Sequence, residues 1–294
     1  MERSLLRFKA FAKINLFLEI LGKRDDGYHE INSLMVNVDL PDVLEFRKTA
    51  SGFSLTTDSK EVPSGFDNIC LKAAETIREY ANHKEGMEIA LSKRIPVEAG
   101  LGGGSSDAAC TLVAANRLWD LGLSWVELEG VAEKVGSDVP FFVRGGAQLA
   151  GGRGERLEPL PDFPEIWFVL VTPSVRVSSG WAYSSVKIGL TSTEHKSKIS
   201  TTGADFDALS IGKMLRNDLE SGVIDAHPVV RELKNALVSH GAIGSLMSGS
   251  GSTVFGVARG RTSATAIASK MNRPGLSVRV ARTVRTGWVE IAQN

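Results

Sequence analysis

Only two of the 294 residues are cysteine, Cys70 and Cys110. Both fall in segments with helical periodicity, and a disulfide framework needs more of them. They are expected to be buried free thiols in a reducing, cytoplasmic compartment. Net charge is absent too, because 34 basic and 34 acidic side chains cancel. No global field draws the chain to nucleic acid or to an anionic membrane, so an anionic ligand must be held by local geometry. The five histidines, at 29, 83, 195, 227 and 240, stand nowhere at zinc-ligand spacing, which excludes a structural metal site. Long apolar runs are missing as well. The opening MERSLLRFKAFAKINLFLEI superficially suggests a targeting segment, yet Lys9, Lys13 and Asn15 interrupt it. It reads as neither a signal core nor a membrane span, but as a strand. There is no internal repeat or heptad array, and no obligatory protein partner is evident.

The balance of 43% hydrophobic and 23% charged residues is that of a globular protein, and the length suits two moderate domains. From Phe8 to Ile20 the even positions are all apolar, while Lys13 and Asn15 share the odd face. This is the period of a strand with one core face. Further strands are expected at 31–38, 43–47 and 87–95. A helix over 67–83 would bury Ile69, Ala73, Ile77 and Tyr80 behind an Asp-Asn cap, and another from Ser106 to Asp120 would bury Ala108, Leu112, Ala115 and Trp119. Glycine and proline crowd 151–164, which places a boundary between domains 1–160 and 161–294. Beyond it come a strand (166–172), a Ser/Thr-rich surface loop to about 204, and helices at 207–220 and 228–240. Strands at 243–247 and 253–258, a helix at 262–272 and a strand at 277–284 follow. That order suits a ferredoxin-like layer.

Between a strand and a helix lie Pro96, Val97, Glu98, Ala99, Gly100, Leu101, Gly102, Gly103, Gly104, Ser105 and Ser106. Four glycines in five positions remove the Cβ atoms that would keep a ligand from the backbone, and amides opening a helix favour an anion. A Walker loop would need a lysine after the glycines, and a dinucleotide fingerprint a glycine where Ser105 stands. A flexible connector is the bland alternative. A second cluster, Ser248 to Ser252, joins two strands and is by itself best read as a plain turn. Asp138 precedes the apolar stretch Val139–Val143, and alone it is as well explained as a cap. Lys13 alone is a polar residue on a strand. Phosphoryl transfer needs what the pair could supply, a carboxylate for the acceptor's proton and a cation for the developing charge.

Taken together, the 96–108 segment and Ser248–Gly256 resemble the ATP loop and C-terminal glycine motif of the kinase family named for galactose, homoserine, mevalonate and phosphomevalonate. Ala12-Lys-Ile-Asn-Leu-Phe-Leu18, Asp26-Gly-Tyr-His29, Gly136–Phe142 and Arg216-Asn-Asp-Leu-Glu220 narrow the match to a branch whose acceptor is a cytidyl-diphosphate-linked methylerythritol. The resemblance implies an α+β fold, with an N-terminal domain like domain 2 of ribosomal protein S5, a ferredoxin-like C-terminal domain and the active site in the cleft between. It implies Asp138 as general base, with Lys13 holding and polarising that pair. Residues 96–106 would cradle ATP, with Asn68 near the adenine. Asn15, Tyr28 and His29 would line the acceptor pocket, and the cytosine would lie between Tyr28 and Tyr183, with Trp181 competing for the second place. Ser106 is the candidate Mg²⁺ ligand, beside the ATP phosphates and water.

Another kinase of the same family is the nearest rival, against which Asp26–His29 argues. A non-catalytic nucleotide binder has no need of Lys13 and Asp138. A nucleic-acid-binding role lacks a basic, aromatic surface.

Overall fold

A computed structural model describes residues 5–186 and 206–292. Its first half runs β1 (Leu5–Lys23), β2 (His29–Thr49), β3 (Phe53–Thr57), α1 (Ile69–Tyr80), β4 (Gly86–Ser92), α2 (Gly103–Leu118), α3 (Trp125–Val135), α4 (Val139–Arg144), β5 (Ala147–Gly152) and β6 (Arg156–Pro159). The second half runs β7 (Trp167–Pro173), α5 (Ser179–Ser184), α6 (Ala208–Met214), β8 (Arg216–Asn217), α7 (Glu220–Ala226), α8 (Val229–Ser239), β9 (Gly244–Met247), β10 (Val254–Ala258), α9 (Arg261–Met271), β11 (Leu276–Arg282) and β12 (Trp288–Glu290). Most of the surface loop expected up to 204 lies outside the described residues.

The strands form two sheets. The first is ordered β12-β1-β2-β4-β3, with β5 and β6 branching from β2 and β8 pairing with β1. The second, β11-β7-β10-β9, is antiparallel throughout and has the ferredoxin-like order. The expected strands 31–38 and 43–47 are one strand, β2, which changes partners partway. Its early residues pair with β5 and its late ones with β4, and the register against β1 shifts between Ala12↔Val38 and Phe11↔Pro41. Pro41 has no amide hydrogen for a ladder, so a bulge falls there naturally.

Burial on β1 departs from simple alternation. Every residue from Ala10 to Ile20 is buried. Before the bulge, Phe8 and Ala10 pack into a core shared with α1, α2 and α4. After it, Ala12, Ile14 and Leu16 pack with Phe168, Leu170 and Phe255 of the second sheet. The two sheets thus meet over one apolar layer, and Lys13 and Asn15 lie on the opposite face.

Helix α1 begins where expected, with the Asn68 side chain accepting from the Cys70 amide. Tyr80 was expected in its core stripe but is exposed, because Cys70, Leu71, Ala74 and their i+3/i+4 partners carry that face instead. Helix α2 starts three residues before the expected Ser106 and is buried almost all round. The expected helix 207–220 ends early, as α6 at Met214, because Arg216–Asn217 pair with β1, and a second helix, α7, starts only at Glu220. Strands β3, β5, β6, β8 and β12 and helices α3, α4, α5 and α7 were not anticipated, and β6 lies inside the glycine- and proline-rich stretch read as a boundary. α3 is closed by a capping box between Ser124 and Glu127. Cys70 and Cys110 are free and buried, as expected.

Candidate active site

A cleft of about 910 Å³ opens along the C-terminal end of β4, the start of α2 and the turns at 23–29, 152–154, 177–184 and 249–250. All the site residues expected from sequence line it except Ser106.

The floor is the 96–106 segment. Gly102 takes a left-handed conformation (φ 67°) as the residue before α2, so the amides of Gly103, Gly104 and Ser105 open the helix toward the cleft. Gly100 is also left-handed, and a Cβ there would lie 2.0 Å from the carbonyl oxygen of Ser248. The second glycine cluster is therefore more than a turn. Ser248 Oγ donates to the Gly100 carbonyl (2.9 Å) and the Thr253 amide to that of Ala99 (3.2 Å), so the β9–β10 connection seats the first loop. Asn217 braces that seat, its Nδ2 donating to the carbonyls of Met247 (2.8 Å) and Gly249 (2.7 Å). Asp218 accepts from the Ile20 amide and Glu220 from that of Met247, which makes 216–220 a joint between β1 and β9.

Ser106 is a correction. Because α2 starts at Gly103, Ser106 falls on its inward side, 1% exposed, and its hydroxyl donates to the Phe11 carbonyl at 2.7 Å. Ser105 is the serine that faces the cleft. Asn68 is likewise occupied locally. Its Oδ1 caps α1, and its Nδ2 donates to the Pro63 carbonyl at 2.6 Å.

Behind the loop is a buried cluster that composition could not reveal. Lys93, at the end of β4, is paired with Asp42 and, at 2.7 Å, with Asp107 of α2. Burial opposes its charge, but Asp107 and Asp42 together hold the ammonium above its usual value. One lysine serves two carboxylates, so burial and the neighbouring Asp42 push the Asp107 carboxyl up against the pull of Lys93. The cluster ties β2, β4 and α2 together beneath the first helical turn.

Lys13 Nζ donates to Asn15 Oδ1 at 2.6 Å and stands 3.7 Å from Asp138 Oδ2. Asn15 in turn donates to Ser33 Oγ, and Ser33 to the Phe17 carbonyl, so the pair is fixed from behind. Lys13 is 5% exposed, although nothing in the strand's period says which polar face is covered. Asp138 precedes α4, the position of a cap, yet its carboxylate makes no cap bond. It is directed to Lys13 and the cleft.

In the other arm, His29 stacks on Tyr183 (5.5 Å between centroids, 23° between planes). Burial, and next the charge of Asp138, pushes the Tyr183 hydroxyl above its usual range. Trp181 lies instead beside His227, so of these two candidates Tyr183 is the one that lines the cleft. Tyr28 is 53% exposed and carries the Arg153 guanidinium 4.9 Å from its ring centroid. Tyr183 is thus faced by His29, and Tyr28 by Arg153. Arg153 and Lys23 were missed by sequence reasoning, since a cation in a turn carries no signal of its own.

Comparison with known proteins agrees with this architecture. Residues 68–146 match the model of the GHMP kinases N terminal domain, and 204–276 that of the GHMP kinases C terminal. A 4-diphosphocytidyl-2-C-methyl-D-erythritol kinase of Pelotomaculum thermopropionicum is 44% identical over 93% of this chain and 96% of its own. One from Gloeobacter violaceus is 40% identical over 96% and 95%. A crystal structure of 4-(cytidine 5'-diphospho)-2C-methyl-D-erythritol kinase superposes with a TM-score of 0.76 at 33% identity, covering 94% of this chain and 98% of the other. A homoserine kinase from Cytophaga hutchinsonii shares the fold (TM-score 0.79) at 20% identity over 99% and 98%. The chain belongs to the GHMP kinase family, in the branch of the 4-diphosphocytidyl-2-C-methyl-D-erythritol kinases.

Proposed function

We propose that the chain transfers the γ-phosphoryl group of ATP to the 2-hydroxyl of 4-diphosphocytidyl-2-C-methyl-D-erythritol, giving the 2-phosphate and ADP. The reaction belongs to non-mevalonate isoprenoid biosynthesis. The observation that carries the reading is the Lys13–Asp138 pair, 3.7 Å apart, in the same cleft as the amides that open α2.

In this reading Asp138 takes the hydroxyl proton as the oxygen bonds to the γ-phosphorus and the bond to the ADP oxygen breaks. Lys13 orients the Asp138 carboxylate and offsets charge on the transferring group, while Asn15 holds the Lys13 ammonium in place. The Gly103–Ser105 amides and the helix dipole receive the phosphates, with Asn68 at the edge of the nucleotide arm. His29, Tyr28 and Tyr183 receive the cytidyl end. Residues 1–160 carry the ATP loop and most of the acceptor pocket, and 161–294 add Tyr183 to that pocket and lend β8 and β12 to the first sheet.

Among the described residues no group of three or more His, Cys, Asp or Glu could hold a metal. Ser105 and Asp138, two of the oxygen donors on the cleft wall, fit Mg²⁺ that arrives on ATP with most of its shell from phosphate and water. Such an ion would neutralise phosphate charge. We place it beside Ser105 rather than Ser106. A cytoplasmic setting is part of the proposal, supported by the two free thiols. No helix among the described residues is long and apolar enough to cross a membrane.

The test is turnover of purified protein with Mg-ATP and 4-diphosphocytidyl-2-C-methyl-D-erythritol, with homoserine and mevalonate as controls. Phosphorylation of the cytidyl acceptor alone is expected. Preference for either control would overturn the reading.

A further inference from the structure

A second cavity, of about 510 Å³, has no lining residue in common with the cleft among the described residues. It forms where the end of α4, the start of β5, the segment after β6 and the β11–β12 connection meet. Part of its wall is apolar, from Val36, Ala147, Leu160, Phe163 and Val284. Its charged lining is three arginines, Arg144, Arg282 and Arg285, and one carboxylate, Glu165. Arg282 pairs with Glu165, whose other oxygen accepts from the Trp167 indole at 3.0 Å. Arg144 pairs with Glu129, which is not part of the lining. The Arg285 guanidinium has no ion pair or hydrogen bond among the described residues.

The side chains of Arg144 and Arg282 are 42% and 46% exposed, so their carboxylate pairs contribute little and yield to a stronger anion. A phosphate is that anion, because it takes guanidinium groups through paired N–H···O bonds. A bare inorganic phosphate would leave the Leu160 and Phe163 side of the cavity uncovered. The chemistry that suits both parts of the wall is an aliphatic phosphate ester.

Helix α4 connects this cavity to the reacting point. It starts after Asp138 and ends six residues later at Arg144, a span of about 9 Å. Val139 to Val143 are all buried between these ends. Phe142 also bears on the phosphate loop, since a Cβ at Gly102 would lie 2.7 Å from its ring. At the cavity end, Gln148 Nε2 donates to the carbonyls of Phe141 (2.9 Å) and Gly145 (3.0 Å). A ligand that draws Arg144 away from Glu129 therefore pulls on one end of a short, closely packed helix whose other end carries Asp138.

We propose that this cavity is an effector site for an aliphatic phosphate ester, whose binding displaces α4 and with it Asp138, and so slows phosphoryl transfer. The site stands on its own lining, and its effect on turnover rests on Asp138 as the base.

Calorimetry with isopentyl diphosphate, on full-length protein whose cleft is filled by a non-hydrolysable ATP analogue and CDP, tests the site. The probe is expected to bind, and inorganic diphosphate to bind at least about tenfold more weakly because it buries no apolar surface. Arg285→Gln should weaken the probe by about fivefold, and the Arg282→Gln/Arg285→Gln double variant by more. Melting temperatures check that these variants fold. In turnover assays at fixed free Mg²⁺, the probe should lower kcat and leave the KM for ATP unchanged, and Arg285→Gln should require more of it. Inhibition relieved by excess ATP or acceptor would put the probe in the cleft and overturn the proposal. So would equal affinity for the two diphosphates, an undiminished affinity in the double variant, or binding that leaves kcat unchanged. Turnover of a different alcohol by the wild type would overturn the acceptor assignment alone, and the same calorimetry would still decide the site.

Discussion

Asp138 occupies the residue before a helix, where an acidic side chain ordinarily accepts from the first-turn amides. Here it does not, and the freed carboxylate faces Lys13. Asp138→Asn is therefore expected to lower kcat by about 100- to 10,000-fold, with affinity for a non-hydrolysable ATP analogue unchanged by calorimetry. A variant that keeps most of its turnover would remove Asp138 from the proton transfer. His29 makes a second prediction at this scale. Burial first, and the Lys23 charge second, hold its imidazole below its usual value. Folding thus favours the neutral ring. The stabilisation is complete above the unfolded pKa of about 6.5, and is lost as pH falls through the lower folded value. NMR titration of the ring should show a depressed midpoint that rises toward the unfolded value in Lys23→Gln. A midpoint already at the unfolded value in the wild type would contradict this account.

Helix α2 shows what a sequence does and does not disclose about an element. The strand–loop–helix order around the glycines was legible, because a strand's period and a helix's period flank them. The helix start was not. Gly103 and Gly104 are poor helix formers by propensity, yet they form the first turn, and at Gly103 packing leaves no room for a larger residue. A Cβ at Gly103 would lie 2.9 Å from both Ile95 Cγ2 and Lys93 Nζ, whereas one at Gly104 would meet only Ile69 at 3.6 Å. Gly103→Val should cost about 1–3 kcal/mol by overpacking and disturb the Lys93 cluster. Gly104→Ala should be neutral or stabilising by about 0.5–1 kcal/mol. Urea denaturation of both variants checks the pair, and equal stabilities would show that the two glycines are interchangeable. The short strands β3, β8 and β12 were illegible for a different reason. Two to five residues carry too little periodicity, and each becomes a strand only because a longer neighbour offers it an edge. In the site itself, the loop could be singled out from residue type and order and Lys13, Asn15 and Asp138 only through the family resemblance, whereas Arg153 and the Lys93 cluster depend on contacts across distant segments.

At the scale of the whole molecule, the two sheets share an apolar layer, and the last strand returns to the first sheet. Trp288 of β12 packs edge-on against Phe8 (5.7 Å between centroids), donates its indole N–H to the Val143 carbonyl (2.9 Å) and lies under the Arg117 guanidinium. Trp288→Ala is expected to destabilise the protein by about 3 kcal/mol, measured by the shift in denaturation midpoint. A loss well under about 1 kcal/mol would mean that β12 is a loose appendage.

That returning strand also bears on how the protein is made. Leu5–Lys23 leaves the ribosome early, but Trp288–Glu290, which covers its edge, is synthesised only after the whole second sheet. The nascent chain must carry β1 with Phe8, Lys9 and Ala10 unpaired on that side while some of the longest-range contacts wait. An open edge in a growing chain is where neighbouring nascent chains pair wrongly. Substitutions in β12 should therefore lower the yield of folded protein during synthesis by more than they lower the stability of protein already folded.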